Sequence, residues 1–369
     1  VLQTYFWIKP KKILDDFFQK AYRMYEFFAG KDVRSRTRDE KTGLISTFSY
    51  VYNTGGWDDY PLQQIVLKSQ RKNYYPVVQI SQIILCAKLL RMAAYVLDKN
   101  DLISEFTADI EDFEKSLYKY QWNSKDEVFS YYDGENECKM KINNEDGNKG
   151  MDGYYPLVSQ SVSKELADKF IKKLVNENHF LTKFGLTTVD KKASYYRDDG
   201  YWNGHVWAPH NWFFIKAMLT YGYSKEAYKV SQRLLKGFSD AYKRSGNISE
   251  CLHNELGTEE HVPYFSGLTA PLLNVYDMFF GKAEVSFGFN IFAEVIKIKN
   301  KKTLKILSPF FKGKTSLILN LEAQKEYNLF MNDEKIKKIE TDKYGRYHLT
   351  LNITKDEHKI LIMDRLKNI

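Results

Sequence analysis

At 369 residues the chain is too long for one ordinary domain and suits one large domain with a small companion. Hydrophobic residues make up 43% and aromatic residues 15%, which excludes a disordered chain and supplies a large core with rings to spare. The net charge of +8 is uneven: from Lys282 onward 18 Lys and Arg face 11 Asp and Glu, and because those lysines alternate with apolar residues they read as solvated strand faces, not as a nucleic-acid surface.

Taken in chain order, Leu14, Phe18, Tyr22, Tyr25 and Phe28 recur at helical spacing, with Pro10 placed to start the helix and Gly30 to stop it. A second helix is predicted from Pro76 to Leu97. Val77, Ile80, Ile84, Leu85, Leu89 and Met92 make it apolar on most sides, as an inner helix would be, and Cys86 reads as core. The polar Gly/Asn-rich stretch from Asp133 to Gly153 lacks calcium-loop spacing and reads as a surface loop. Further helices are predicted near 102–121, 160–178, 206–222, 224–240 and 267–280, several paired through short turns such as Tyr221-Gly222-Tyr223. The expectation is a mainly α chain of about eight or nine helices arranged as hairpins.

After Phe289 the period changes. Ile296 and Ile298 alternate with lysines, and Tyr347, Leu349, Leu351 and Ile353 alternate with polar residues. Asn332-Asp333 and Tyr344-Gly345 are turn sites, so a small antiparallel β-sandwich of about seven strands is expected. The predicted domains are 1–282 and 283–369. Cys86, Cys138 and Cys251 form no CxxC pair and are too few for a disulfide framework. No apolar run reads as long enough for a membrane span. The first residue is Val1, with no Met and no leader pattern, as at an internal boundary of a longer gene. Location stays open between the cytoplasm and, behind a missing leader, the periplasm or exterior. Oligomeric state is not legible.

Three stretches carry polar and aromatic residues in combinations that suit chemistry. In Gly55-Gly56-Trp57-Asp58-Asp59-Tyr60-Pro61 the glycines permit a sharp turn, and two acids share its end with an indole. A carboxylate beside Trp loses solvent, which favours the protonated form a general acid needs. The structural alternative is a helix cap before Pro61, which fits Asp59 better than Asp58. The second stretch runs from Tyr201 to Trp212, with Trp202, Trp207 and Trp212 interleaved with Asn203, His205, His210 and Asn211. It suits a wall that stacks on a sugar and bonds its hydroxyls, or a helix start with buried rings. HExxH spacing is absent, and no metal is expected. The third stretch, Ser249-Glu250-Cys251-Leu252-His253-Asn254-Glu255, gathers polar groups in what reads as a loop. Alone, Glu250 is an ordinary exposed glutamate.

Together and in this order, the three stretches resemble the catalytic domain of glycoside hydrolase family 63 and the related mannosylglycerate-hydrolase-like enzymes. There a Ser-Gly-X-Asp-Asp/Asn-X-Pro loop carries the general acid, a Tyr-Trp-Arg-Gly-Pro-Val-Trp stretch lines the pocket, and Glu-Asn-Tyr carries the base. Phe180 to Thr188 is similar to a further Phe-X-X-X-X-Gly-Leu-X-Thr block, and the likeness runs from about residue 10 to 280. The resemblance implies an (α/α)6 toroid, here short of its first helices, and an inverting hydrolysis of an α-linked oligosaccharide. Asp58 would be the acid and Glu250 the base. Trp57, Asp59, Trp202, Asn203, His205, Trp207 and Asn211 would bind substrate, with no cofactor. The chain departs from the pattern at Leu62, Asn203 and His205, where Arg, Arg and Pro are usual, and at Cys251-Leu252, where Asn-Tyr is usual. A sugar-binding remnant without catalysis is the alternative reading, and a purely structural helical scaffold a second.

Overall fold

The computed structural model describes residues 11–50, 57–69, 71–281, 284–298 and 301–364. Pro10, the Gly55-Gly56 turn and the side chains of Ile296 and Ile298 lie outside the described positions. Helix α1 (Lys11–Phe28) buries Leu14, Phe18 and Tyr25. Gly30 then turns with φ of +75°, where a Cβ would lie 2.3 Å from Arg38 Cβ, so the predicted stop is both conformational and steric.

The helices that follow are α2 (Pro61–Ser69), α3 (Val77–Val96), α4 (Asn100–Ser116), α5 (Met151–Val158), α6 (Lys164–Leu174), α7 (Ala208–Thr220), α8 (Ser224–Ser245), α9 (Ser266–Thr269) and α10 (Pro271–Phe279). Two kinds alternate from α3 onward. α3, α5 and α7 are buried on most sides. α4, α6 and α8 bury one stripe, such as Ala167, Phe170, Ile171 and Leu174 on α6. Accordingly α3 packs on α1 and α5, α5 on α7, and α7 on α10, while the amphipathic helices back them. All-round apolarity sends a helix inside, and a single stripe leaves it on the outer layer.

Several expectations are corrected. α3, with 20 residues, is long and apolar enough to cross a membrane, so the reading that no such run exists fails; 67% of its most apolar window is buried inside the protein, which is how the core helix of a globular fold behaves. Residues 133–153 are a surface loop only in part: Glu135 to Cys138, Lys141, Asn143 and Asn144 are exposed around short ribbons. Asp146, Asn148 and Asp152 are fully buried there, and α5 begins at Met151. Asp152 accepts the N–H groups of Val77 (3.1 Å) and Val78 (3.3 Å) and the Asn148 amide (2.8 Å). It caps α3 from 74 residues away, because Pro76 at the N-cap position has no acceptor side chain. Burial raises the Asp152 pKa to about 7 against these donors. Two-residue ribbons, one group forming a three-stranded sheet, also cross residues 74–146, more strand than a purely helical region was expected to hold.

Strands β1 (Ser249–Leu252) and β2 (Glu259–Pro263) form a hairpin, so Glu250 sits on a strand and not in a loop. The C-terminal part contains β3 (Val285–Phe287), β4 (Phe292–Ile298), β5 (Lys301–Leu307), β6 (Gly313–Asn320), β7 (Glu326–Met331), β8 (Glu334–Glu340), β9 (Arg346–Ile353) and β10 (Glu357–Asp364). They make two antiparallel sheets, ordered β3-β6-β9 and β4-β5-β10-β7-β8. Leu317, Leu319, Leu349 and Leu351 from the first share a core with Leu304, Ile306, Leu329, Ile360 and Ile362 from the second, as in a sandwich. Helices and sheets are joined tightly: Lys216 on α7 donates to the Phe287 carbonyl, and Thr220 Oγ1 accepts the Phe289 N–H at 2.8 Å.

Candidate active site

The acid loop is held from several sides. Pro61 opens α2, the Tyr60 N–H returns to the Trp57 carbonyl at 3.2 Å, and Gln64 Nε2 donates to the Asp58 carbonyl. Tyr60 Oη donates to Asn148 Oδ1 at 2.6 Å, tying the loop to the buried Asn148–Asp152 pair. Asp58 is half-buried. Asp59 does not cap α2 by this bond set; its carboxylate accepts the N–H of Trp202. Burial raises the Asp59 pKa, opposed by the backbone N–H groups of Trp202 and Tyr201 and by the charge of Arg197.

The second stretch wraps a glycine that tolerates no replacement. A Cβ on Gly204 would lie 1.8 Å from the Arg197 carbonyl, and the Gly204 carbonyl accepts Asn254 Nδ2 at 3.0 Å. Val206 and Leu252 exchange backbone hydrogen bonds of 2.9 and 3.1 Å, fastening this loop to β1. Glu250 therefore stands on a strand clamped to the segment that Asp59 also grips.

The rings fall differently from expectation. Trp57, Trp202 and Trp207 are 1%, 3% and 0% exposed. Trp202 lies between the other two, with centroids 5.7 Å from Trp57 and 3.6 Å from Trp207 and near-parallel planes. Trp202 has both faces covered by its neighbours, and the three indoles form one buried stack with almost no ring surface open to solvent. Asn211 is fully buried as well. Its Oδ1 accepts the Leu186 N–H at 2.8 Å and its Nδ2 serves the carbonyls of Leu186 and Trp207, which makes it a strut between backbones. His210 pairs with the Tyr155 hydroxyl, and burial lowers its pKa to about 3. His205 is 2% exposed and turns to Cys251, with Nδ1 3.6 Å from Sγ; burial first, then His253 and His261, lower its pKa to about 4.

Tyr201, which sequence reading had only as the first letter of its motif, lies close enough to Glu250 for the two to interact. Its phenol is held far above the usual range by burial, by a hydrogen bond to Glu250 and, among smaller causes, by the charge of Asp58. Around it, buried polar atoms lack a protein partner: Glu250 Oε2, Trp202 Nε1, Asn203 Oδ1, His205 Nε2 and Asn254 Oδ1. Buried polar atoms are seldom left so, and several at one place mark a site built to meet something else. Asn203 Nδ2 is occupied by the Tyr195 carbonyl at 2.8 Å. A cavity of about 540 Å³ lies elsewhere, between α3, α7 and the sheets; of the cations that line it, Lys88 and Lys312 bond Glu114 and Asp356.

A family model described as the mannosylglycerate hydrolase MGH1-like glycoside hydrolase domain matches residues 19–266, a span that holds both carboxylates. The periplasmic trehalase of Escherichia coli O1:K1 / APEC is 24% identical over 213 residues, 58% of this chain and 35% of that protein. The chain thus spans about a third of the length of the curated relatives it matches. Among solved structures, an uncharacterized conserved protein from Thermus thermophilus superimposes with a TM-score of 0.56 at 15% identity, over 72% of this chain and 71% of that one. The GH63 mannosylglycerate hydrolase of the same organism, in complex with glucose, gives 0.53 at 16% identity over 72% and 69%. Neutral trehalase from Saccharomyces cerevisiae gives 0.52 at 14% identity over 70% and 56%. At these identities the structural likeness is one of fold.

Proposed function

The chain belongs to the mannosylglycerate hydrolase MGH1-like glycoside hydrolase family, and from that premise we propose that it hydrolyses α-linked glucosides or mannosides of an oligosaccharide with inversion, Asp58 acting as acid and Glu250 as base. The helical region, residues 1–282, is then a partial (α/α)6 toroid, and 283–369 its accessory β domain. The alternation of inner and outer helices supports the toroid. The observation that supports the chemistry is the tether between the two loops: the Asp59 carboxylate accepts the Trp202 N–H, and the Trp202 segment is fastened through Val206 and Leu252 to the strand that carries Glu250.

In the proposed step Asp58 gives its proton to the glycosidic oxygen as the bond to the anomeric carbon breaks. Glu250 takes a proton from the water that bonds to the opposite face. Such a pair works at a carboxyl separation of about 6.5–9.5 Å. Trp202 Nε1 and Asn203 Oδ1 are two of the unpartnered buried polar atoms that would meet sugar hydroxyls, and no cofactor enters the reaction.

A second reading, a sugar-binding remnant, is favoured by the mutual burial of the three indoles, which leaves fewer ring faces for a saccharide. Turnover separates the two. Asp58→Asn and Glu250→Gln should each lower hydrolysis of an α-glucoside or α-mannoside by ~10²–10⁴-fold without changing the thermal midpoint. Wild-type turnover in Glu250→Gln removes the base assignment, and binding without turnover in the wild-type chain establishes the remnant.

A further inference from the structure

We propose that His205, Cys251 and His261 form a binding site for one zinc-class divalent cation on the hairpin that carries Glu250. One donor atom from each of the three lies within 4.8 Å of the other two, and Cys251 Sγ and His205 Nδ1 are 3.6 Å apart. Tetrahedral zinc, with bonds of about 2.3 Å to sulfur and 2.0–2.1 Å to nitrogen, sets neighbouring donors roughly 3.3–3.6 Å apart. The thiol–imidazole pair already has that spacing. The remaining closure falls to His261, an exposed residue on β2 with φ of +62°.

The donors come from three segments already locked together. Cys251 on β1 pairs with Glu260 on β2, beside His261, and His205 precedes Val206, which exchanges hydrogen bonds with Leu252. His205 Nε2 is buried without a partner, so the ring can turn either nitrogen to a metal without breaking a further bond. His253 is close, its ring 5.2 Å from that of His205, but its Nδ1 accepts the N–H groups of Glu255 and Leu256. Its other nitrogen then carries the proton and cannot ligate. One thiol and two imidazoles with no carboxylate select a borderline-soft ion over calcium or magnesium. Two of the donors, His205 and Cys251, stand where the resembled motifs carry Pro and Asn, so these departures fall at one spot.

On binding, the Cys251 thiol releases its proton to solvent and sulfur bonds the metal, so affinity rises with pH. Three protein donors leave a fourth position for water or a ligand group. The ion would also bridge β1, β2 and the 201–207 loop, fixing the strand that carries Glu250.

The test is titration of the metal-free full chain with cobalt(II) and then zinc. The expected result is one equivalent of cobalt with a thiolate-to-cobalt charge-transfer band, displaced by zinc. Cys251→Ser and His261→Gln should each weaken binding at least ~10-fold, and His253→Gln should leave it unchanged. Absence of the band in the wild-type chain overturns the site, as does a band unaffected by His261→Gln. That exposed variant decides the matter should Cys251→Ser fail to fold. Glu250→Gln should keep the cobalt band while losing hydrolysis, so failure of the metal site and failure of the hydrolase reading are read separately.

Discussion

The Asp59 carboxylate accepts the backbone N–H of Trp202, 143 residues away in sequence. That bond ties the Asp58 loop to the segment whose far end is fastened to the Glu250 strand, so Asp58 and Glu250 are set relative to each other through the neighbouring Asp59.

Asp59→Asn keeps an acceptor oxygen and should reduce kcat about tenfold or less, whereas Asp59→Ala should approach the ~10²–10⁴-fold loss of an acid–base variant. Steady-state kinetics on both decides it. Equal losses in Asn and Ala would mean that the charge of Asp59, not its tether, matters.

Leaving-group dependence separates the two carboxylates. An aryl glycoside with a good leaving group should restore much of the activity of Asp58→Asn, since such a group departs without a proton, and should restore none to Glu250→Gln. Rescue of both variants alike would reverse or void the roles.

Asn203 stands where the resembled motif has a guanidinium, so no fixed cation occupies that position to hold a carboxylate. Arg197 is nearby in sequence, but its side chain is largely exposed and paired with Asp199 at 3.1 Å. Neutral α-glycosides should therefore be cleaved in preference to uronic or glyceric acid conjugates. A competition assay with a clear acidic preference would contradict this.

Gly204→Ala should destabilise the chain by about 2–4 kcal/mol, because the new methyl meets backbone and cannot rotate away. Urea unfolding measures it, and a change below about 0.5 kcal/mol would show that the loop yields.

Burial alone pushes Lys216 down to about 7. The unfolded chain keeps that proton up to the ordinary lysine range, while the folded chain gives it up near 7. Its buried charge therefore costs stability below 7, and the cost is relieved as pH rises from 7 toward 10. Lys216→Met should raise the melting temperature at pH 6 and lose that advantage by pH 10. Melting curves across this range check it, and an advantage that grows with pH would refute it.

Much of the fold was legible because it rests on local periodicity. The stripes on α1 and α8, the all-round apolarity of α3 and the alternation over β9 each lie within one continuous run, where spacing reports burial directly. α5 was hidden because its first turn holds Asp152 and Gly153, and a buried acid at the head of a helix reads as loop until its distant donors are known. The motif order pointed to Asp58 and Glu250, whereas what the other side chains of each motif touch depends on packing that the motif does not encode.

The sequence by itself indicated most of the helical and strand segments, the family resemblance and the candidate carboxylates Asp58 and Glu250, because each is written in residues close together along the chain. Only the tertiary structure decided which faces meet. It stacked Trp57, Trp202 and Trp207 on one another, spent Asn211 on backbone, tied Asp59 to Trp202, and gathered His205, Cys251 and His261 at one point. Those outcomes include contacts as distant in sequence as that of Trp57 with Trp202, which no local spacing encodes, and they depend on burial, which turns a polar side chain from a surface group into one that must find a partner.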